Sequence, residues 1–166
     1  LYNTYLRRYV YTLAYCLLPN HYHLFIKTKE SKSAKYYLTV SNQFRKLFIC
    51  NTQYFNLHEN RIGNLCYRHF RRKIINKDNY FQNMLYYVHA NPQKHGIIKD
   101  FTIYPYSYYQ QIFCERPNYV SKNMVLDIFD GSIENFKNFH TAEKDEESLE
   151  GFEEEDKKYA GMASQG

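Results

Sequence analysis

The sequence predicts an α+β fold in which helices pack on an antiparallel sheet. A β-branched, aromatic and aliphatic run at residues 9–18 is followed by a Pro19-Asn20 turn signal and a second extended run. Two later segments repeat their apolar residues at helical spacing instead. Paired extended segments combined with separate helices are typical of this fold class.

The elements follow in order along the chain. Strands are expected over residues 9–18 and 21–27, and their short connection makes them an antiparallel hairpin. A helix is expected over 33–49, where apolar residues recur near helical spacing. The polar segment 51–64 is expected to be a loop, and the basic, aromatic segment 65–75 is expected to be extended.

A second helix is expected after Asp78, which is a suitable N-cap for the apolar repeat that follows. This helix should end near Ala90, because Pro92 disfavours helical geometry at Asn91. Residues 101–113 are aromatic and irregular around Pro105.

Charge is distributed unevenly. Residues 141–166 carry nine acids and three lysines, a net charge of −6, so the overall charge of +5 leaves +11 for residues 1–140. We therefore expect a basic domain at 1–140 and an acidic, disordered tail at 141–166. A basic body with 19 tyrosines favours a nucleic-acid partner through phosphate attraction and base stacking, although ordinary solubility charge is an alternative.

The four cysteines lack CxxC spacing, which argues against a zinc knuckle or a disulfide framework. We expect them to be reduced and mostly buried, as in the cytoplasm. The sequence shows neither a signal peptide nor an apolar run that could span a membrane, so no membrane partner is expected.

The stretch LLPNHYHLF places two histidines two positions apart on a strand. Strand side chains alternate between faces, so His21, His23 and Phe25 share one face. Two imidazoles so placed are close enough to bind one divalent metal. The alternative is a pair of solvated histidines on an exposed strand face.

The stretch YYVHANPQKHG offers further candidates. Tyr87 and Asn91 are four residues apart and project from one helix face, whereas Tyr86 points elsewhere. Asn91 could give a carbonyl oxygen to a hard metal, and the Tyr87 hydroxyl could act as a nucleophile. Alternatively, Tyr87 packs in the core and Asn91 caps the helix. His89 and His95 flank the end of this helix. One of them could add a third imidazole near the metal, but a surface hydrogen bond is the expected role.

Taken together, the motifs resemble the single-tyrosine HUH (IS200-like) transposases, in particular the REP-associated tyrosine transposase branch. AYCLLPNHYHLFIK resembles the histidine strand of that family, and YYVHANPQKHGII resembles its tyrosine helix. NRIGNLCYRHFRRKII resembles its basic middle strand, and IYPYSYY its closing segment. The resemblance implies a ferredoxin-like, RRM-like sheet. This chain starts at about the family's first helix, so the first strand is expected to be absent.

The resemblance also implies a chemistry. His21 and His23 match the HUH pair, Tyr87 the nucleophile and Asn91 the third metal ligand, with Mg²⁺ or Mn²⁺ as the cofactor. The implied reaction cuts and rejoins single-stranded DNA at hairpin ends through a 5′-phosphotyrosine. A homodimer is left open.

Basic side chains are candidates for holding the DNA backbone. They lie in the first helix and in the basic segment, and they are Arg45, Lys46, Arg68, Arg71, Arg72 and Lys73. A solvated basic face is the alternative.

Two other functions compete with the transposase. A catalytically inactive or domesticated module could bind hairpin DNA or RNA on an RRM-like sheet without cutting it. A metal-dependent hydrolase could use the histidines with activated water, but this would leave Tyr87 unexplained.

Overall fold

The computed structural model describes most of the chain. The described residues are 1–31, 33, 35–65, 70, 72–75, 79–115 and 119–144. Within them the chain forms two compact units, one made of Leu1–Tyr11 with Lys27–Ile74, the other of Thr12–Ile26 with the chain from Ile75 onward. None of the helices in these ranges combines the length and the apolar character that crossing a lipid bilayer requires.

The fold class is α+β, as predicted. In chain order the described elements are α1 (Tyr2–Tyr5), β1 (Val10–Leu17), β2 (Tyr22–Thr28), α2 (Lys35–His58), α3 (Asn79–Lys94), α4 (Lys122–Asp127) and α5 (Ile133–Thr141). β1 and β2 pair as a two-stranded antiparallel sheet, closed at the Pro-Asn turn by the Leu18 N–H, which donates to the His21 carbonyl over 2.8 Å. Short 3₁₀ helices cover Phe101–Ile103 and Tyr109–Phe113.

In the first unit, α2 is longer than predicted. It continues to His58, so the prediction of a loop over 51–64 is wrong for its first eight residues. Polar residues on a solvent-facing side do not stop a helix; a left-handed residue does, and Asn60 adopts φ = 50° just beyond the end. The buried side of α2 presents Val40 and Phe44.

The basic segment 65–75 is described only in part, and its described residues up to Ile74 belong to the same unit. Phe70 packs its ring against Phe44 and Phe48 of α2, with centroids 5.6 and 5.5 Å apart. The described residues of the segment form no strand. The predicted extended conformation is therefore not seen as a β-strand in the described residues of this segment. Residues 66–69 and 71 lie outside the described residues.

In the second unit, β1 is paired on both edges. β2 lies on one side, and on the other the strand makes isolated bridges from Cys16 to Ser107 and from Thr12 to Val120. The Leu17 N–H donates to the Tyr106 carbonyl over 2.9 Å. The IYPYSYY segment thus satisfies backbone groups of β1 that would otherwise be open to solvent or to another strand.

The core of the second unit is aliphatic near the sheet and aromatic near α5. Leu13 and Ala14 of β1 and Leu85 and Val88 of α3 are buried together. Among the tyrosines of residues 101–113, three are buried and Tyr106 is 61% exposed, which matches a mostly structural role for them.

Helix α3 ends later than predicted. The sequence predicts an end near Ala90, but α3 continues through Pro92 to Lys94. Pro92 is almost completely buried, and we attribute the tolerated proline to its packing in the core, which outweighs the local preference of the backbone. Gly96, at φ = 67°, supplies the actual stop. The predicted cap Asp78 lies outside the described residues.

Two further expectations concern the ends and the cysteines. Most of the predicted acidic tail, from residue 145 onward, lies outside the described residues, and the boundary at residue 140 stays a prediction.

Of the three cysteines that are described, none forms a disulfide; Cys16 is buried, whereas Cys114 is exposed, contrary to expectation. Burial raises the pKa of the Cys16 thiol to about 12.

Candidate metal and nucleophile site

Three histidines of the second unit meet at one point. His21 and His23 come from the turn and the start of β2, and His95 follows the end of α3. Ring centroids are 5.0 Å apart for His21 and His23, and 5.0 Å apart for His21 and His95. One nitrogen from each ring lies within 4.8 Å of the other two. The cluster could therefore hold a metal ion.

The Pro-Asn turn orients the first of these rings. The Nδ1–H of His21 donates to Asn20 Oδ1 over 2.6 Å, because an amide oxygen can only accept. The neutral imidazole then carries its lone pair on Nε2. Asn20 thus selects the tautomer of His21, as hydrogen-bond partners of metal-binding histidines commonly do.

The surroundings of His21 and His23 disfavour the charged form of both rings. Burial, followed by the charge of His95, lowers the pKa of His21. Burial is also the main cause that lowers the pKa of His23 to about 4, with the charges of His21 and His95 as further causes. A neutral imidazole has a lone pair that can bind a metal, so the donor set suits a cation.

Tyr87 lies beside this cluster. Its ring is perpendicular to that of His23, with centroids 5.7 Å apart. Lys94, almost two turns further along α3, places its Nζ 5.0 Å from the centre of the Tyr87 ring. Only 4% of Tyr87 is exposed. The predicted nucleophile is therefore next to the predicted metal ligands, but it is covered in this conformation.

Tyr86 points elsewhere, as its position on the helix predicts. Its ring packs against Phe101 and His140, with centroids 5.7 and 6.0 Å away. Burial raises the pKa of its hydroxyl. Tyr86 belongs to the aromatic core rather than to the histidine cluster.

Asn91 is anchored to its own helix. Its Nδ2 donates to the Tyr87 carbonyl over 2.7 Å, and the residue is 1% exposed. Among the described residues its Oδ1 has no hydrogen-bond partner, which is unusual for a buried acceptor. This oxygen is free to accept, but its role as a metal ligand stays a prediction.

His95 is the member of the cluster for which the sequence favours a surface hydrogen bond over a place beside the metal. A helix that ended near Ala90 would lack the turn that carries His95 toward β2, whereas the observed α3 continues to Lys94. The available signal was the spacing of Tyr87, Asn91 and His95, four residues apart each time. If the helix continues, that spacing places all three on one face.

Four of the six predicted DNA-binding residues are described, and they lie in the first unit. Arg45 and Lys46 are exposed on α2, and Arg72 and Lys73 are exposed beyond it. Arg72 donates from Nη1 to the Ser41 hydroxyl over 2.6 Å. The remaining two, Arg68 and Arg71, lie outside the described residues.

One comparison relates the chain to a tyrosine transposase. The chain is 30% identical over 101 residues to a Haemophilus influenzae protein named "Putative REP-associated tyrosine transposase". The match covers 58% of this chain and 57% of that relative, so the chain spans little more than half of the relative's length. No protein-family model and no solved structure matches.

Proposed function

We propose that the chain is a metal-dependent transposase or nuclease that cuts single-stranded DNA at hairpin ends, with Tyr87 as the nucleophile. The observation that carries the proposal is the position of the Tyr87 ring. Its centroid lies 5.7 Å from that of His23, which is one of three clustered imidazoles. The similarity to a tyrosine transposase supports the same reaction class. Simple packing of Tyr87 would not require this cluster beside it.

The proposed reaction exchanges one phosphodiester for another. The Tyr87 oxygen forms a bond to phosphorus, and the bond from phosphorus to the 3′-oxygen of the DNA breaks. The tyrosine loses its proton to the surroundings, and the leaving 3′-oxygen gains one. The 5′-phosphotyrosine is resolved when another 3′-hydroxyl attacks it, so the chemistry needs no high-energy cofactor.

A metal ion fits this proposal. His21 and His23 would hold it, with Asn91 as the third ligand implied by the family resemblance and Mg²⁺ or Mn²⁺ as the implied ion. When bound, such an ion polarises phosphate oxygens and offsets the charge that develops on them. The chain's own residues have the other tasks: Asn20 orients His21, and α3 holds Tyr87 beside His23.

The burial of Tyr87 favours a second candidate, a module that binds hairpin nucleic acid without cutting it. With 4% exposure, the Tyr87 side chain cannot meet a phosphate in this conformation. The nuclease proposal therefore requires that DNA binding uncover the hydroxyl. The binding module requires no such change, and it predicts no covalent product.

A covalent-trapping assay separates the two candidates. The protein is incubated with end-labelled single-stranded hairpin DNA and Mn²⁺, and the products are resolved on a denaturing gel. We expect a metal-dependent protein–DNA band that Tyr87→Phe abolishes. The matched control is Tyr86→Phe, which removes the neighbouring hydroxyl from the aromatic core and should leave the band.

Binding without a covalent band, by folded protein on several hairpins, would reject the nuclease in favour of the binding module. A band that survives Tyr87→Phe would reject Tyr87 as the nucleophile.

A further inference from the structure

The histidine cluster contains more nitrogen donors than the sequence predicts for its metal site. His21, His23 and His95 each offer one nitrogen, and these three atoms lie within 4.8 Å of one another. Each ring reaches the cluster from a defined position, at the closing turn of the hairpin, on β2 or just after α3. Within the described residues the cluster includes no carboxylate and no thiolate.

The identity of the donors bears on the identity of the metal. Mg²⁺ is a hard ion that prefers oxygen ligands and gives up its water reluctantly. Imidazole nitrogen instead suits first-row transition metals, whose affinities rise from Mn²⁺ toward Cu²⁺. Three imidazoles without a carboxylate are therefore a poor magnesium site and a good site for a transition metal.

We infer that His95 is the third ligand of the metal and that the site binds a first-row transition-metal ion in preference to Mg²⁺. The catalytic meaning of this inference rests on the proposed function, since the metal is the one that would serve Tyr87. Of the two ions implied by the family resemblance, the three imidazoles favour Mn²⁺.

Helix α3 holds His95 in place through its last turn. The His95 N–H donates to the Asn91 carbonyl over 2.9 Å, so the chain is still helical there. The next residue, Gly96, has φ = 67° and turns the chain away. The imidazole is thus attached at a fixed point and not on a free loop.

Asn91 is the competing third ligand. Its oxygen lacks a hydrogen-bond partner among the described residues, whereas its nitrogen is tied to the Tyr87 carbonyl. If Asn91 replaced His95, the set would be two nitrogens and one oxygen. If Asn91 joined the three histidines, nitrogen would still dominate and the preference for a transition metal would remain.

Cobalt binding tests the inference without any DNA. Co²⁺ is titrated into the protein, and its visible absorption reports nitrogen ligation and occupancy. We expect one ion per chain, and we expect Mg²⁺ at about a thousandfold excess not to displace it. His95→Gln should weaken Co²⁺ binding more than about ten-fold. The matched control is His58→Gln, which removes an exposed histidine of the first unit and should change nothing.

Two outcomes would overturn the inference. In one, His95→Gln binds Co²⁺ as tightly as the parent protein while His23→Gln does not, which would assign the third position to another group. In the other, Mg²⁺ displaces Co²⁺ at similar concentrations, which would reject the metal preference.

The trapping assay distinguishes this inference from the proposed function. Co²⁺ binding that depends on His95, in a protein that forms no covalent DNA product, would leave the metal site standing and reject the nuclease. If the parent protein forms the covalent product and His95→Gln binds metal as well as the parent does, the nuclease would stand and His95 would be rejected as a ligand.

Discussion

Asn20 gives the Pro-Asn turn a chemical role besides its structural one. A turn before a strand needs only a residue with suitable backbone preferences, and asparagine is common there. Here the side chain also accepts the Nδ1–H of His21 over 2.6 Å. The lone pair of His21 is thereby fixed on Nε2, and the ring is held in one orientation.

The first prediction concerns this hydrogen bond. Asn20→Ala should lower the affinity for Co²⁺ by about ten-fold, because His21 loses the partner that selects its tautomer. Asn20→Asp should retain the affinity, since a carboxylate accepts the same hydrogen. Asn42→Ala, at an exposed position of α2, serves as the control. Equal affinities for Asn20→Ala and the parent protein would show that Asn20 does not position the ring.

At the scale of elements, α3 and α5 are joined by a buried histidine pair. The Nδ1–H of His140 donates to the Phe136 carbonyl over 2.8 Å, so its Nε2 accepts from the Nδ1–H of His89 over 3.0 Å. Burial, followed by the charge of His140, lowers the pKa of His89 well below its usual value. Burial is also the main cause that lowers the pKa of His140 to about 4, with the charge of Lys144 as a smaller cause.

This pair makes stability depend on pH. An unfolded histidine gains a proton near pH 6.5, whereas the folded His140 stays neutral down to about pH 4. The unfolded state therefore binds more protons between these values, and the free energy of unfolding should fall as pH drops from 6.5 to 4. For His140 alone the fall is on the order of 3 kcal/mol.

Urea unfolding at several pH values measures the slope of the free energy of unfolding against pH. We expect His140→Gln to have a shallower dependence than the parent protein, while His58→Gln keeps the full slope. His21 and His23 add to the slope in all three proteins and do not affect the comparison. If His140→Gln and the parent protein had the same slope, His140 could not be a buried histidine that stays neutral in the folded state.

The elements also show what the sequence could and could not predict. The hairpin and the shared face of His21 and His23 follow from alternation along a strand, which needs no tertiary information. The end of α3 does not follow, because local preference at Pro92 is overruled by its burial in a core that forms only in the folded chain. The position of His95 in the histidine cluster does not follow either, because it depends on the continuation of the same helix.

The end of α2 was predicted too early for a different reason. The polar residues of 51–58 suggested a loop, but polar residues are compatible with the exposed side of a long helix. The left-handed Asn60 stops the helix, and asparagine adopts that conformation only in some contexts. Composition alone could not identify it as the stop.

At the scale of the whole molecule, charge bears on the proposed partner. Residues 1–140 carry a net charge of +11, and the exposed Arg45 and Lys46 contribute to it. If this charge serves DNA, binding must weaken with salt, because each neutralised phosphate releases counterions.

Salt titration tests the role of these two residues. Replacing both Arg45 and Lys46 with glutamine should make the slope of log affinity against log salt shallower by about 1.4, at about 0.7 per single-strand phosphate contact. The control replaces two exposed lysines, Lys99 and Lys137, and should leave the slope unchanged. Equal slopes for both double variants would remove Arg45 and Lys46 from the DNA-binding surface.

The proposed function requires that Tyr87 form a bond to DNA. The most direct measurement is mass spectrometry of the trapped complex after nuclease and protease digestion, which locates the attached nucleotide on the peptide. We expect a 5′-linked nucleotide on Tyr87, with Tyr86 unmodified. A nucleotide on another residue, or a metal-loaded, DNA-bound protein without any modification, would contradict it.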